Sequence, residues 1–273
     1  MPPRAAAPPT HFLCIPLVTT TSRRQLSASL SSFRADVTSV ESFGVPDEAV
    51  RPVGTLHLTL GVMSFPRNEG LETAVALLRT IIPRQILADI AASAPSRRGA
   101  AAAAAAEGPR PRGPVPPRLS VTLRGLRTMQ PAAAARASVL YAPPLDADGV
   151  LAGFCERLRS AFRDAGLMAE DGRPLLLHAT VLNTVYVRGR GAAASRGGRG
   201  GGRGGGRGGG RGGGGGRGRE RLTIDARPII NRYHDYTWMR DVPVEKVAIC
   251  KMGAKKLEDG DEAYEVVAEI DVV

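Results

Sequence analysis

Short apolar runs alternate along this chain with segments whose apolar residues recur at helical spacing. Residues 11–18 (HFLCIPLV) are a continuous apolar run bounded by polar residues, which predicts a buried strand. Over 22–37, Leu26, Leu30, Phe33 and Val37 form one stripe, and Ser22 and Gln25 have the spacing of a capping box, so a helix is predicted. Residues 55–65 (TLHLTLGVMSF) predict a second strand. Residues 70–91 predict helix, with Leu71, Val75, Leu78 and Ile82 on one face and a break at Pro83. The series then repeats. Strands are predicted at 119–129 and 137–142, then a helix at 147–165 with Val150, Phe154, Leu158 and Phe162 on one stripe and acidic residues at its start. A strand at 175–187 follows, and strands at 222–229, 244–252 and 264–272 close the chain. Strand, helix and strand in each half predict a mixed α/β or α+β domain.

Two of these strands share a four-residue pattern: His57-Leu58-Thr59-Leu60 and His178-Ala179-Thr180-Val181. Side chains alternate along a strand, so each histidine shares a face with its threonine while the apolar residues turn to the other side. Were the two strands side by side, two imidazoles and two hydroxyls would converge on one cleft, an arrangement suited to acid–base work on a phosphodiester. The same pattern also fits two half-buried strand histidines with ordinary packing.

Two low-complexity stretches interrupt the series. Residues 93–118 hold an alanine run followed by Pro, Arg and Gly, and 195–221 are almost wholly Arg and Gly. Neither offers an apolar face to bury. They also change the meaning of the charge. The formal net charge of +11 is accounted for by eight Arg and one Glu in 196–221 and five Arg and one Glu in 95–118, which leaves the foldable part neutral. Long-range attraction to a phosphate polymer therefore resides in the insertions. The Arg/Gly run reads either as an RNA-binding segment or as a tolerated loop expansion. Cys14, Cys155 and Cys250 are widely spaced, form no metal-ligand pattern and are expected to pack as small apolar residues. No apolar stretch reaches membrane-spanning length, and a reducing compartment, nucleus or cytoplasm, is expected.

The motif residues resemble the 2H phosphoesterase superfamily, which includes 2′-5′ RNA ligase-like proteins and the A-kinase-anchor-protein type of domain. The match to Thr10-His11-Phe12-Leu13, to His57-Leu58-Thr59-Leu60 and to the string Leu177–Thr184 is narrower, as is that to Ile249–Met252 and Tyr264–Val273. These most resemble the family of the C-terminal domain of the first subunit of the activating signal cointegrator complex. The resemblance implies an α+β, bilobal, pseudo-symmetric fold with a cleft between two lobes. It implies one domain over 10–273, interrupted at 93–118 and 195–221 and preceded by a disordered tail at 1–9. It further implies a phosphodiesterase for 2′-5′ linkages or 2′,3′-cyclic phosphates in RNA, with no metal or other cofactor. His57 and His178 would be catalytic, and Thr59 and Thr180 would bind the substrate phosphate. The expected partner is RNA or an oligonucleotide, with the isolated protein monomeric and not membrane-bound. The alternative is a weakly catalytic or non-catalytic recognition subunit of a coactivator or helicase complex.

Other residues carry weaker expectations. His11 is expected to be structural. Tyr233 and Trp238, with His234 and Tyr236 in the segment NRYHDYTW, either stack a base at the cleft rim or form an ordinary aromatic loop. Asn183 and Thr184 are expected to hold the second motif strand in place. Lys251, Lys255 and Lys256 either line a phosphate path or are simply solvated.

Overall fold

The computed structural model describes residues 7–93, 119–146, 149–169, 172–187 and 222–272. Both low-complexity insertions beyond Ser93, and residues 1–6 of the expected tail, lie outside the described residues. Within the tail, Pro8 is held, because its carbonyl accepts a hydrogen bond from Ser64 Oγ.

The class is α+β. Strands β1 (His11–Pro16) and β2 (His57–Met63) pair antiparallel, and with β9 (Lys246–Lys251) and β12 (Val266–Asp271) they form a four-stranded sheet in the order β12-β9-β1-β2. Strands β4 (Arg127–Thr128), β5 (Val139–Ala142) and β7 (Ala179–Asn183) make a second sheet in that order. A third joins β6 (Pro144–Leu145), β3 (Ser120–Arg124) and β8 (Thr237–Pro243), and β10 (Lys255–Lys256) pairs with β11 (Glu262–Ala263) as a hairpin. Helices α1 (Arg23–Thr38), α2 (Leu71–Thr80), α3 (Pro83–Ser93) and α4 (Val150–Asp164) pack against β8, β12, α4 and β2 respectively. A six-residue helix, α5 (Arg227–Arg232), precedes β8.

Alternation decides which side of the first sheet is core. Leu13, Ile15, Leu58, Leu60, Val247 and Ile249 enter the main apolar core. The opposite face presents Phe12, Cys14, Ala248 and Cys250, and His57 and Thr59 lie across from Pro16 and Cys14 in register. Removing a leucine-sized side chain from water contributes about 1.5–3 kcal/mol, so a one-residue slip that exchanged the two faces of β2 is strongly disfavoured. All three cysteines are buried and unbridged; Cys14 Sγ lies 3.8 Å from Cys250 Sγ.

Helix α1 buries the expected stripe of Leu26, Leu30, Phe33 and Val37. Its capping differs from the expected box. Thr19 Oγ1 accepts from the Thr21 and Ser22 amides, and Ser22 Oγ instead donates to Leu17 O. Gln25 is used elsewhere, its Oε1 accepting from the Arg240 amide. Pro83 does divide the following helical region. The buried face of α2 is Ala74 and Leu78, while Ile82, in the linker, is 66 % exposed.

Two strand predictions fail. Residues 119–129 are two strands in different sheets, split at Gly125. That residue has φ +81°, and a Cβ there would lie 2.7 Å from His234 O. Residues 222–229 contribute only an isolated bridge at Ile224, after which α5 begins with Pro228 in its first turn. Proline has no amide to donate to a ladder but suits a helix start. The segment read as an aromatic loop in fact runs into β8. The period-two pattern of β8 is broken at Asp241, which has φ +49° beside a register shift.

Candidate active site

The two motif strands are not ladder partners. β2 is the edge of the first sheet and β7 the edge of the second. They are joined by the chain ahead of β2: Val50 bridges to Leu182, and the Arg51 amide donates to Val181 O at 2.9 Å. Arg34 of α1 secures this segment by donating to the carbonyls of Asp47 and Val50. On its other side the Gly54 amide donates to the Asp261 carboxylate. A Cβ on Gly54 would stand 2.4 Å from Glu262 O, so only glycine lets the β10–β11 hairpin close on it.

A cavity of about 180 Å³ opens where these pieces meet. Its walls include His57, Thr59, Thr180, Asn183, Arg51 and Thr55, with Phe12, Val62, Tyr186, Met252 and Tyr264. Three of the four motif residues thus share one cavity. His178 is not among its walls; it directly precedes β7, two residues before Thr180, which is.

Both histidines are anchored in the same way. His57 Nδ1 lies 2.8 Å from Thr55 O, and His178 Nδ1 lies 2.8 Å from Leu176 O, in each case the carbonyl two residues back. A carbonyl only accepts, so each Nδ1 carries the hydrogen. In the neutral ring the far nitrogen, Nε2, then holds the free lone pair. Ring packing fixes both imidazoles further. Phe12 and Tyr264 contact His57 at 4.7 and 5.2 Å between centroids, and Tyr141 contacts His178 at 5.5 Å. Burial pushes the His57 pKa down to about 4. The Thr55 carbonyl opposes this, and the charges of His178 and Arg51 add to the lowering. Burial also lowers His178, against the Leu176 carbonyl. Both rings are therefore neutral near pH 7 in the free protein.

Arg51 is the residue that sequence reading missed. It is 5 % exposed, its guanidinium carbon lies 3.8 Å from the centroid of the Tyr186 ring, and its Nη2 is buried without a hydrogen-bond partner. Tyr264 and Tyr186 line the same cavity, and burial raises the Tyr264 hydroxyl pKa to about 12, with Arg51 opposing the rise. The only sequence signal for Arg51 is an arginine within an otherwise apolar approach to the first motif, AVRPVGTLHLTL.

The base-stacking expectation for Tyr233 and Trp238 is corrected. Trp238 is 1 % exposed, donates Nε1–H to Gly125 O at 2.8 Å and packs on Phe33. Tyr233 is 7 % exposed and donates to Asp36 Oδ2. Neither lines the cavity, because both sit where α1 meets β8 and are needed for that packing. His234 is exposed, with Nδ1 on Asn231 O. His11 is buried, bonded to Thr10 Oγ1 and packed on Phe65. Asn183 Oδ1 accepts from the Val185 amide, and Thr184 Oγ1 donates to Leu222 O, so both pin the end of β7. Lys251 and Lys256 are exposed, and Lys255 pairs with Glu265. No group of His, Cys, Asp or Glu among the described residues is placed to hold a metal ion, and no described helix is long and apolar enough to cross a membrane.

Comparison with known proteins adds the family. An uncharacterized protein of Schizosaccharomyces pombe, C15D4.13c, is 28 % identical over 134 residues, 49 % of this chain; the chain spans about half the length of that curated relative. Among solved structures, a phosphoesterase aligns over 98 % of this chain and 99 % of its own, at 16 % identity and a TM-score of 0.47. Escherichia coli LigT complexed with 3′-AMP aligns over the same shares at 14 % and 0.47. TT0787 of Thermus thermophilus covers 96 % of this chain and 97 % of its own, at 16 % and 0.45. The family model of the AKAP7 2′5′ RNA ligase-like domain matches residues 9–272, taking in both His-x-Thr strands and every sheet described above, and the chain belongs to that family.

Proposed function

We propose that this domain is a phosphodiesterase acting on 2′-5′ linkages or 2′,3′-cyclic phosphates in RNA, with His57 and His178 as its acid–base pair. One observation carries the reading: His57 and both motif threonines line one cavity, and His178, two residues before Thr180, is held by the same Nδ1–carbonyl bond as His57. The repeated anchor also supports two pseudo-symmetric lobes. Nothing in ordinary packing requires two half-buried imidazoles to present Nε2 in the same tautomer next to two hydroxyls.

On a 2′,3′-cyclic phosphate, a water oxygen attacks phosphorus, and its proton passes to Nε2 of the base. The bond from phosphorus to one ribose oxygen breaks, and the acid delivers its proton to that oxygen, leaving a phosphomonoester. Thr59 and Thr180 donate to the non-bridging oxygens, where negative charge accumulates. His57 suits the base, since burial and the nearby Arg51 charge keep its ring neutral. His178 suits the acid, since it lacks the Arg51 contribution and the bound phosphate favours its charged form. No metal is needed in this scheme.

The test is turnover of a 2′,3′-cyclic-phosphate RNA end and a 2′-5′ oligoadenylate with chelator present, beside His57→Ala/His178→Ala. The reading expects turnover on at least one substrate, a bell-shaped pH–rate profile and loss in the double variant. Turnover that vanishes with chelator and returns only with metal overturns the mechanism. Folded protein that binds RNA but turns over neither substrate favours the alternative of a recognition subunit in a coactivator or helicase complex.

A further inference from the structure

The motif quartet leaves one strongly polar wall of the cavity unused. Arg51 forms no ion pair among the described residues, its Nη2 is unpartnered, and the side chain is almost fully buried. A buried guanidinium without an anion is unfavourable, and buried polar groups left unsatisfied call for a partner. The arrangement is also rigid. The guanidinium stacks over Tyr186, and the backbone amide is bonded to Val181, the neighbour of Thr180. Six positions later the same segment supplies His57. Arg51 is thus tied to both motif strands and faces the space their side chains enclose.

We propose that Arg51, which lines the cavity, is a ligand of the substrate phosphate, its guanidinium donating to a non-bridging oxygen of the group that the threonines hold. The proposal deepens the phosphodiesterase reading and rests on it for the identity of that group. The chemistry fits the location. A guanidinium stays charged at any working pH, and its planar fork presents directed donors to a tetrahedral anion. Stacking on Tyr186 fixes the plane of the fork before substrate arrives. A fixed positive charge on the cavity wall stabilises the extra negative charge that forms when a nucleophile adds to phosphorus. Arg51 takes no proton in this role. An arginine that only ties the Val50–Arg51 segment to β7 does so by its backbone amide and would not need its side chain on the cavity wall.

The experiment measures binding of adenosine 3′-monophosphate and of inorganic phosphate by calorimetry, for wild type, Arg51→Gln and Arg51→Lys, with a thermal melt of each protein. Arg51→Gln should weaken both ligands at least tenfold. Arg51→Lys, which keeps the buried charge but loses the fork, should fall between and keep the fold if Gln does not. Removing Arg51 should also raise the His57 pKa seen by NMR. Wild-type affinity for both ligands in either variant overturns the proposal. So does a loss confined to the nucleotide with inorganic phosphate unchanged, which would put Arg51 on the base side. The two readings separate cleanly. Arg51-dependent phosphate binding without turnover sinks the phosphodiesterase reading and keeps the Arg51 site. Turnover with unchanged kcat/KM and affinity in the variants does the reverse.

Discussion

His57 makes the fold sensitive to acid in a way that can be isolated. Replacing it with Asn keeps an N–H able to donate to Thr55 O and removes the titrating ring. In the unfolded chain the imidazole titrates at its ordinary value of 6.5; in the fold, burial holds it at about 4. At about 1.4 kcal/mol per tenfold, that gap corresponds to about 3 kcal/mol. The sign follows from proton binding. Between these two values the unfolded state takes up a proton that the folded state refuses. The contribution is therefore complete above pH 6.5, declines as pH falls, and is fully lost below about pH 4. By about pH 5 the loss amounts to about 2 kcal/mol. Urea denaturation near neutral pH and at about pH 5 should show wild type losing about 2 kcal/mol more than His57→Asn. The lowered pKa of His178 acts in the same direction in both proteins and cancels from the difference. Parallel pH dependence in the two proteins, or a His57 ring titrating at or above 6.5 by NMR, refutes the reasoning.

Three further substitutions probe the supports of the site. Trp238→Phe strips Gly125 O of its buried donor and should cost about 1–3 kcal/mol by chemical denaturation while nucleotide affinity stays the same; weakened affinity in folded protein would restore the stacking role. Asp146→Ala removes the carboxylate that accepts from the Leu151 and Ala152 amides at the start of α4, for about 1 kcal/mol; Asp146→Asn should lose less, and equal losses would contradict the capping account. Gly54→Ala drives a methyl group against Glu262 O and should cost about 1–3 kcal/mol and lower turnover, since the displaced hairpin borders the segment leading to His57; unchanged stability and turnover would show that the hairpin yields freely.

Much of this was legible from local pattern. The alternation in 55–65 placed Leu58 and Leu60 in the core and His57 and Thr59 on the other face, because a strand's period does not depend on its neighbours. The α1 stripe and the Pro83 break were equally local. What escaped was set by tertiary context. Asp241 at positive φ interrupts the alternation of β8, so no period-two template fits it. Gly125 moves the chain between sheets inside what reads as one apolar run. Trp238 and Tyr233 sit among polar residues in sequence, yet α1 and β8 close over them. Arg51 has no motif at all. Its significance lies in the stacking on Tyr186 and the bond to Val181, two contacts across more than a hundred residues that no spacing in the chain announces.

The most direct test of the two-histidine account is kcat/KM on a 2′,3′-cyclic-phosphate RNA end for wild type, His57→Asn and His178→Asn, all shown to be folded. Each single variant should fall by about 10²–10⁴-fold, the range for losing one positioned acid or base. Either variant turning over at the wild-type rate would contradict the account.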